Sequence, residues 1–327
     1  MRQIREDYKG GRHFGAVGRP AWSLAWTGAL LLFVAPMAVQ GQFNYITNNG
    51  AITITGYTGP GGAVNIPDQI GGLPVTTIGD FAFWDLTNVT SVTIPNSVIS
   101  LSSGAFAGCA LSSVTIGCGV TNIGDSVFDS SGLTSVTIPN SVISIEDYAF
   151  NNCTSLTNVT ISNGLTRIIG YAFAGCYGLV GVTIPSSVSF LGDGAFSGCY
   201  ELVGIFFLGN APGFDPTAFE SSDDATVYFL AGTLGWSETF ALLPTALWVL
   251  PQPLILNQGP GFGVHSNQFG FTISWATNVP VVVQATTNLS NPVWTPVSTN
   301  TLTGGTSYFS DAAWPNYHQR FYRLTRP

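Results

Sequence analysis

Val136-Thr137-Ile138-Pro139-Asn140-Ser141-Val142-Ile143-Ser144-Ile145-Glu146-Asp147-Tyr148-Ala149-Phe150-Asn151-Asn152-Cys153 is the stretch that decides the fold. Alternation in its first residues puts Val136 and Ile138 on one side of a strand, and Ser135 and Thr137 on the other. Pro139 ends the strand, because it lacks the N–H that a ladder needs. After a polar turn, Val142 and Ile145 return to the apolar side. Ala149-Phe150 is then expected on a short helical or 3₁₀ turn, with Asp147 as its cap.

The same pattern recurs along the chain. Its strand core returns as Val92-Thr93-Ile94, Val114-Thr115-Ile116, Val159-Thr160-Ile161 and Val182-Thr183-Ile184. A second landmark falls at Phe83, Phe106, Phe128, Phe150, Phe173, Phe196 and Phe219, in steps of 22 or 23 residues. Two landmarks that hold one period over this length specify a stack of units, none of which can bury its own apolar side alone. The seven phenylalanines, the largest residues of the unit and in register, predict a column of rings through the interior.

The pattern Val-Thr-Ile-Pro-x-Ser-Val-x-x-Ile, followed by Ala-Phe and a Cys three residues on, resembles the BspA-like leucine-rich repeat family of bacterial surface proteins. The resemblance spans residues 43 to about 250. It implies a mainly β leucine-rich-repeat solenoid of about seven units of 22–23 residues. It also implies an extracellular or surface-attached protein with adhesion or binding roles and no catalysis.

The ends of the repeat depart from the pattern. Ala51–Tyr57 and Ala63–Pro67 read as strands on either side of a glycine-rich turn, an N-terminal β cap over residues 42–74. Repeats occupy 75–219. Ile205-Phe206-Phe207-Leu208 replaces the usual strand, and Thr226–Leu230, Trp236 and Trp248 give a C-terminal cap over 220–250. A stiff Leu250-Pro251-Gln252-Pro253 joint follows. Residues 251–327 carry five strand patterns and read as a small β-sandwich-like domain, similar to a truncated fibronectin type III module.

Five of the nine basic residues are Arg2, Arg5, Lys9, Arg12 and Arg19, ahead of the apolar run Trp22–Val39. That order, ending in Val39-Gln40-Gly41, reads as a signal peptide over residues 1–41 with cleavage after Gly41. A retained anchor is the alternative, although the run is short for a span and contains Pro36. Beyond residue 41 there are four arginines and no lysine against fifteen acidic residues, a formal charge of −11. Such a surface disfavours nucleic acid and anionic lipid, which need clustered Lys and Arg. A protein or glycan at the cell exterior is the expected partner; the ligand's identity and the oligomeric state are not specified.

Candidate chemistry is sparse. Cys109, Cys153, Cys176 and Cys199 share one repeat position, where small buried hydrophobes are expected. A disulfide between adjacent rungs is the second reading, since rungs about 4.8 Å apart lie within bridging range, though parallel side chains suit it poorly. Asp80, Asp125, Asp147 and Asp193 precede the Phe turn by a fixed spacing that suits caps better than a calcium ladder. The only histidines past residue 41, His265 and His318, sit in the tail, so no base is available to a solenoid Ser or Cys and no cluster has metal spacing. No cofactor, metal or catalytic residue is expected. What remains is the outward polar face, Ser91, Thr93, Ser113, Thr115, Ser135, Thr137, Asn158, Thr160 and Thr183. Generic ligand binding, ice binding or simple strand propensity would each favour such a row. Its lack of aromatics argues against sugar stacking.

Overall fold

The computed structural model describes residues 42–257 and 261–327; the signal-peptide expectation on residues 1–41 lies outside them. Residues 42 to about 247 form a parallel β-solenoid. One side is a ten-stranded sheet whose repeat members are two-residue strands: Ser100–Leu101, Asn122–Ile123, Ser144–Ile145, Arg167–Ile168, Phe190–Leu191 and Gly213–Phe214. A second side carries the Val-Thr-Ile strands in three parallel ladders. These are Gly62–Asn65, Val89–Thr93 and Ser113–Thr115; Ser135–Ile138 and Asn158–Ile161; and Gly181–Ile184, Gly204–Phe207, Thr226–Phe229 and Leu243–Leu247. Val136, Ile138, Val142, Ile145 and Phe150 all lie in one continuous core.

The third side holds the phenylalanine turns. Phe83, Phe106, Phe128, Phe150, Phe173 and Phe196 are completely buried and Phe219 nearly so. Successive rings stack with centroids 4.8, 5.5, 5.2, 5.1, 5.2 and 5.6 Å apart and interplanar angles of at most 27°. Stacking of this kind adds about 0.5–1.5 kcal/mol per pair to the burial of the rings. The N–H of each landmark Phe from Phe83 to Phe196 donates to the next rung: Phe83 to Ala105 O at 2.8 Å, Phe106 to Val127 O at 2.9 Å, Phe150 to Ala172 O at 2.8 Å.

That bond pattern alters the expected turn. A 3₁₀ turn would send every N–H three residues back. Here only alternate groups do so, such as Ala105 to Ser102 O and Ala107 to Gly104 O, while Gly104, Phe106 and Gly108 donate across to Asp125, Val127 and Asp129. The alternation needs left-handed backbone two residues before and two residues after each Phe from Phe83 to Phe196, as at Gly104 and Gly108, Ser126 and Ser130, and Tyr148 and Asn152. A non-glycine residue gives up about 1–2 kcal/mol in that region, and a cross-rung hydrogen bond compensates. Capping by aspartate changes accordingly. Asp80 Oδ1 accepts from the Ser103 N–H one rung on, at 3.1 Å, and Thr217 Oγ1 donates to Asp193 Oδ1 at 2.5 Å. These carboxylates tie rungs together instead of capping their own turn. Asp215 does cap locally, accepting from Thr217 N and Oγ1 at 3.0 and 2.7 Å, and those bonds hold its carboxyl below the usual range.

Cysteine at the fourth residue of the turn has a specific job. The thiols of Cys109, Cys153, Cys176 and Cys199 donate to the carbonyls of Phe83, Phe128, Phe150 and Phe173, each in the preceding rung, at 2.8–3.3 Å. Ser222, at the same repeat position, does so to Phe196 O at 2.9 Å. The position therefore wants a small donor, which a purely apolar reading of the column overlooks. All five cysteines are free, and Cys118 alone is exposed. Burial pushes the Cys109 and Cys153 thiols up to about 11 and Cys199 up to about 12.

Both ends of the column are closed by aromatic rings. Tyr57 stacks on Phe83 at 5.3 Å and Phe43 lies against both, on an extra strand, Phe43–Asn48, that precedes the two expected in the cap. At the far end Phe240 lies against Phe207, Phe214, Phe219 and Trp236. The tail forms two antiparallel sheets, one of Leu254–Leu256, Gly263–His265, Gln268–Ser274 and Thr306–Asp311, the other of Pro280–Thr286, Thr295–Thr301 and Phe321–Thr325. They share a core of Phe271, Ile273, Val281, Val283, Leu302 and Phe309. All three tail arginines are engaged internally: Arg320 with Asp311 at 2.9 Å, Arg323 with Gln284, and Arg326 with Pro251 O.

Two outcomes follow from the column. Phe150→Ala should cost about 3–5 kcal/mol in urea unfolding; a loss within about 0.5 kcal/mol, the range of surface sites, would mean the rings do not hold the rungs together. In the native protein near neutral pH, a thiol reagent should modify Cys118 rapidly and leave the four buried thiols until denaturation; rapid modification of two or more would contradict the buried donor column.

Candidate functional site

Parity along the Val-Thr-Ile strands sends alternate side chains to solvent. Thr93, Thr115, Thr137, Thr160 and Thr183 are all exposed. They pair in register as Thr93 with Thr115 and Thr137 with Thr160, while Thr183 pairs with Phe206. The flanking outward row runs Ser91, Ser113, Ser135, Asn158, Gly181, Gly204 and Thr226, aligned within each ladder. The nine face residues thus belong to three ladders, separated after Thr115 and after Ile161.

Among the described residues, none of the nine face side chains makes a hydrogen bond to another protein group. Other outward hydroxyls do. Ser112, Thr134 and Thr157 donate to the carbonyls of Thr90, Ser112 and Thr134, one rung back, at 3.1–3.3 Å. Thr121, Thr166 and Ser189 form a second such column at 2.9–3.3 Å. Two hydroxyl columns are therefore spent on the scaffold, and the face row is left with its donors and acceptors turned to solvent.

The row does not stay free of aromatics. Thr183 continues in register to Phe206, Tyr228 and Ala246. Phe206 and Tyr228 stack at 5.0 Å and 11°, and Trp248 leans on Phe206 at 4.9 Å. The sequence-based argument against sugar stacking covers Thr93 to Thr183, and the aromatics lie beyond that stretch. The signal was present in the spacing, since Phe206 lies 23 residues after Thr183, but loss of the Val-Thr-Ile identities hid it.

A second aromatic surface lies beside the phenylalanine turns. Tyr148 and Tyr171 stack at 5.3 Å and 6°. With Phe190, Asp147 and Asp193 they line a shallow groove of about 330 Å³. The Asp193 carboxylate, chiefly, pushes the Tyr171 phenol up. Arg167, the single basic residue between residues 42 and 257, lies 5.6 Å from the Phe190 ring centroid. His265 and His318 are exposed on the tail. Among the described residues no group of three His, Cys, Asp or Glu could hold a metal ion, and no helix is long and apolar enough to cross a membrane.

Residues 75–226 match, in 6 copies, the family profile described as BspA type leucine rich repeat region. Among solved structures, the leucine-rich repeat protein of T. pallidum is 31% identical; the match covers 57% of this chain and 84% of that one, with a TM-score of 0.49. A leucine-rich repeat protein of Bacteroides ovatus is 20% identical, with 57% and 70% covered and a TM-score of 0.36. The pneumococcal vaccine antigen PcpA is 20% identical, with 57% of each chain covered and a TM-score of 0.44. No curated protein matches the chain. The six copies of that profile lie over the stacked rungs, and the chain belongs to the BspA-type leucine-rich-repeat proteins.

Proposed function

We propose that this protein is a non-catalytic binding protein of the cell exterior, which engages its partner through the outward face of the Val-Thr-Ile strands. The observation that carries the reading is the contrast between hydroxyl columns. Those at Ser112–Thr157 and Thr121–Ser189 are bonded to neighbouring rungs, whereas the face side chains make no hydrogen bond among the described residues. A flat row of unspent donors and acceptors repeated at the strand spacing of about 4.8 Å suits an extended or repetitive partner. The basic, apolar and small-residue order of the first 41 residues supports export, as does membership of a family whose members are bacterial surface proteins.

Catalysis has no support in the side chains. The buried thiols sit well above their ordinary range because burial disfavours the thiolate, which makes them poor nucleophiles, and the exposed Cys118 has no histidine on the solenoid to activate it. The exposed histidines lie on the tail, outside the solenoid.

The test uses the chain from residue 42 and a variant with Thr115→Lys, Thr137→Lys and Thr160→Lys. All three positions are exposed strand sites, so the fold should survive. On an array of extracellular glycans and matrix proteins, the parent should enrich at least one ligand above an acidic control protein, and the variant should lose about tenfold or more in affinity. Equal binding by both proteins, or no enrichment by the parent, would overturn the reading and favour a purely structural envelope role.

A further inference from the structure

The aromatic end of the threonine row is not needed to close the solenoid. On the inner side of the same strands, Phe207 is buried and packs on Trp236 and Phe240, which already seal the last rung. Phe206 and Tyr228 point the opposite way, and both are half-buried on a face otherwise made of small polar residues. Stacked apolar rings placed outward, with the cap complete without them, call for another explanation.

Their surroundings supply one. Tyr228 covers the side of Phe206 toward the chain's end. The other side of the ring is turned toward the Gly181–Ile184 strand, where the outward position is Gly181; its partner on the ring's own strand, Gly204, is also glycine. A Cβ on Gly204 would fall 2.8 Å from the Phe206 ring, and one on Gly181 would lie 3.6 Å from it. Earlier rungs have Ser or Asn at this position. Gly204 lies buried beneath the rings, and half-buried Gly181 leaves a low floor in front of them, with Thr183 on the same strand. No outward position of the two rows from residue 91 to residue 228 is charged, in a chain with a formal charge of −11 past residue 41.

We infer that Phe206, backed by Tyr228 and Trp248, is a stacking platform for a neutral glycan. The terminal sugar packs its C–H face on the Phe206 ring over Gly181, and the next units run back along the threonine hydroxyls. The chemistry fits on three counts. A sugar offers an apolar face to an aromatic ring and hydroxyls to a Thr and Asn row. An uncharged face gives no complement to a charged polymer. The rise of an extended β-linked sugar chain is close to the rung spacing of about 4.8 Å, so one sugar can meet each rung. The inference rests on the binding role proposed above and narrows its ligand.

The test is calorimetry and an oligosaccharide array with neutral hexasaccharides (β-1,4-glucan, β-1,3-glucan, β-1,4-mannan), with polygalacturonate and chondroitin sulfate as charged probes. The parent chain should bind at least one neutral hexasaccharide. Phe206→Ala should weaken that binding about tenfold or more. Gly181→Val, which leaves the aromatic cluster intact but fills the floor, should weaken it similarly, while Thr93→Lys at the far end should not. Thermal midpoints report whether each variant is folded. Binding of charged probes only, absence of binding to every neutral hexasaccharide, or neutral binding unaffected by Phe206→Ala and Gly181→Val would each overturn the platform. Matrix-protein binding that Thr115→Lys, Thr137→Lys and Thr160→Lys abolish but Phe206→Ala does not would overturn the platform and leave the wider face reading standing.

Discussion

Everything in this molecule depends on what one rung does for the next. Each landmark phenylalanine from Phe83 to Phe196 lays its ring on the following ring and gives its N–H to the following rung. A single turn of 22 or 23 residues has too little apolar surface to offset the entropy of ordering it. Stacked, its large side chain is covered on both faces and its backbone donors are used. The same logic explains the buried cysteines: a small donor is needed to satisfy the Phe carbonyl one rung back, and thiol or hydroxyl serves, as Cys176 and Ser222 show. It also explains the aromatic caps at Phe43–Tyr57 and Trp236–Phe240, because a ring column has two bare ends.

The period, the ring column and the strand parity were legible in the sequence because each is a matter of spacing. Val136 and Ile138 could be placed inward, and Thr137 outward, from alternation alone. The backbone of the phenylalanine turn was not legible. Its left-handed positions are taken by Gly104 and Gly194 but equally by Ser126, Tyr148 and Tyr171, so no residue type marks them, and cross-rung bonding stabilises them. The role of the thiols was hidden for a related reason, since donor and acceptor lie 25 or 26 residues apart. Phe206 was legible in principle. Its spacing from Thr183 placed it on the face row, but a motif sought by residue identity ends where the identities change.

A division of labour among similar residues links the scaffold to its use. Ser and Thr occur on every outward surface of the solenoid, yet two columns are bonded along the axis and one is not. Acidic residues are treated likewise. Asp80 and Asp193 are spent between rungs, and the threonine face is left without charge. The tail's three arginines are spent within it or on the Pro251 carbonyl, and Ser186 and Gly232 of the solenoid's last rungs lie against tail residues Asn257 and Thr306. On the Val-Thr-Ile side, the outward rows are uncharged hydroxyls that end in aromatic rings.

The central claim is that rungs are interchangeable units held by the ring column and by cross-rung bonds. Deleting residues 136–158, one full unit, tests it most directly, because Ser135 then joins Val159 with strand parity and the ring period preserved. The account predicts a folded β-rich protein with a somewhat lower thermal midpoint, cooperative unfolding and four of its five thiols, three of them still buried. A deleted chain that is unfolded, while removal of residues 251–327 is harmless, would contradict it.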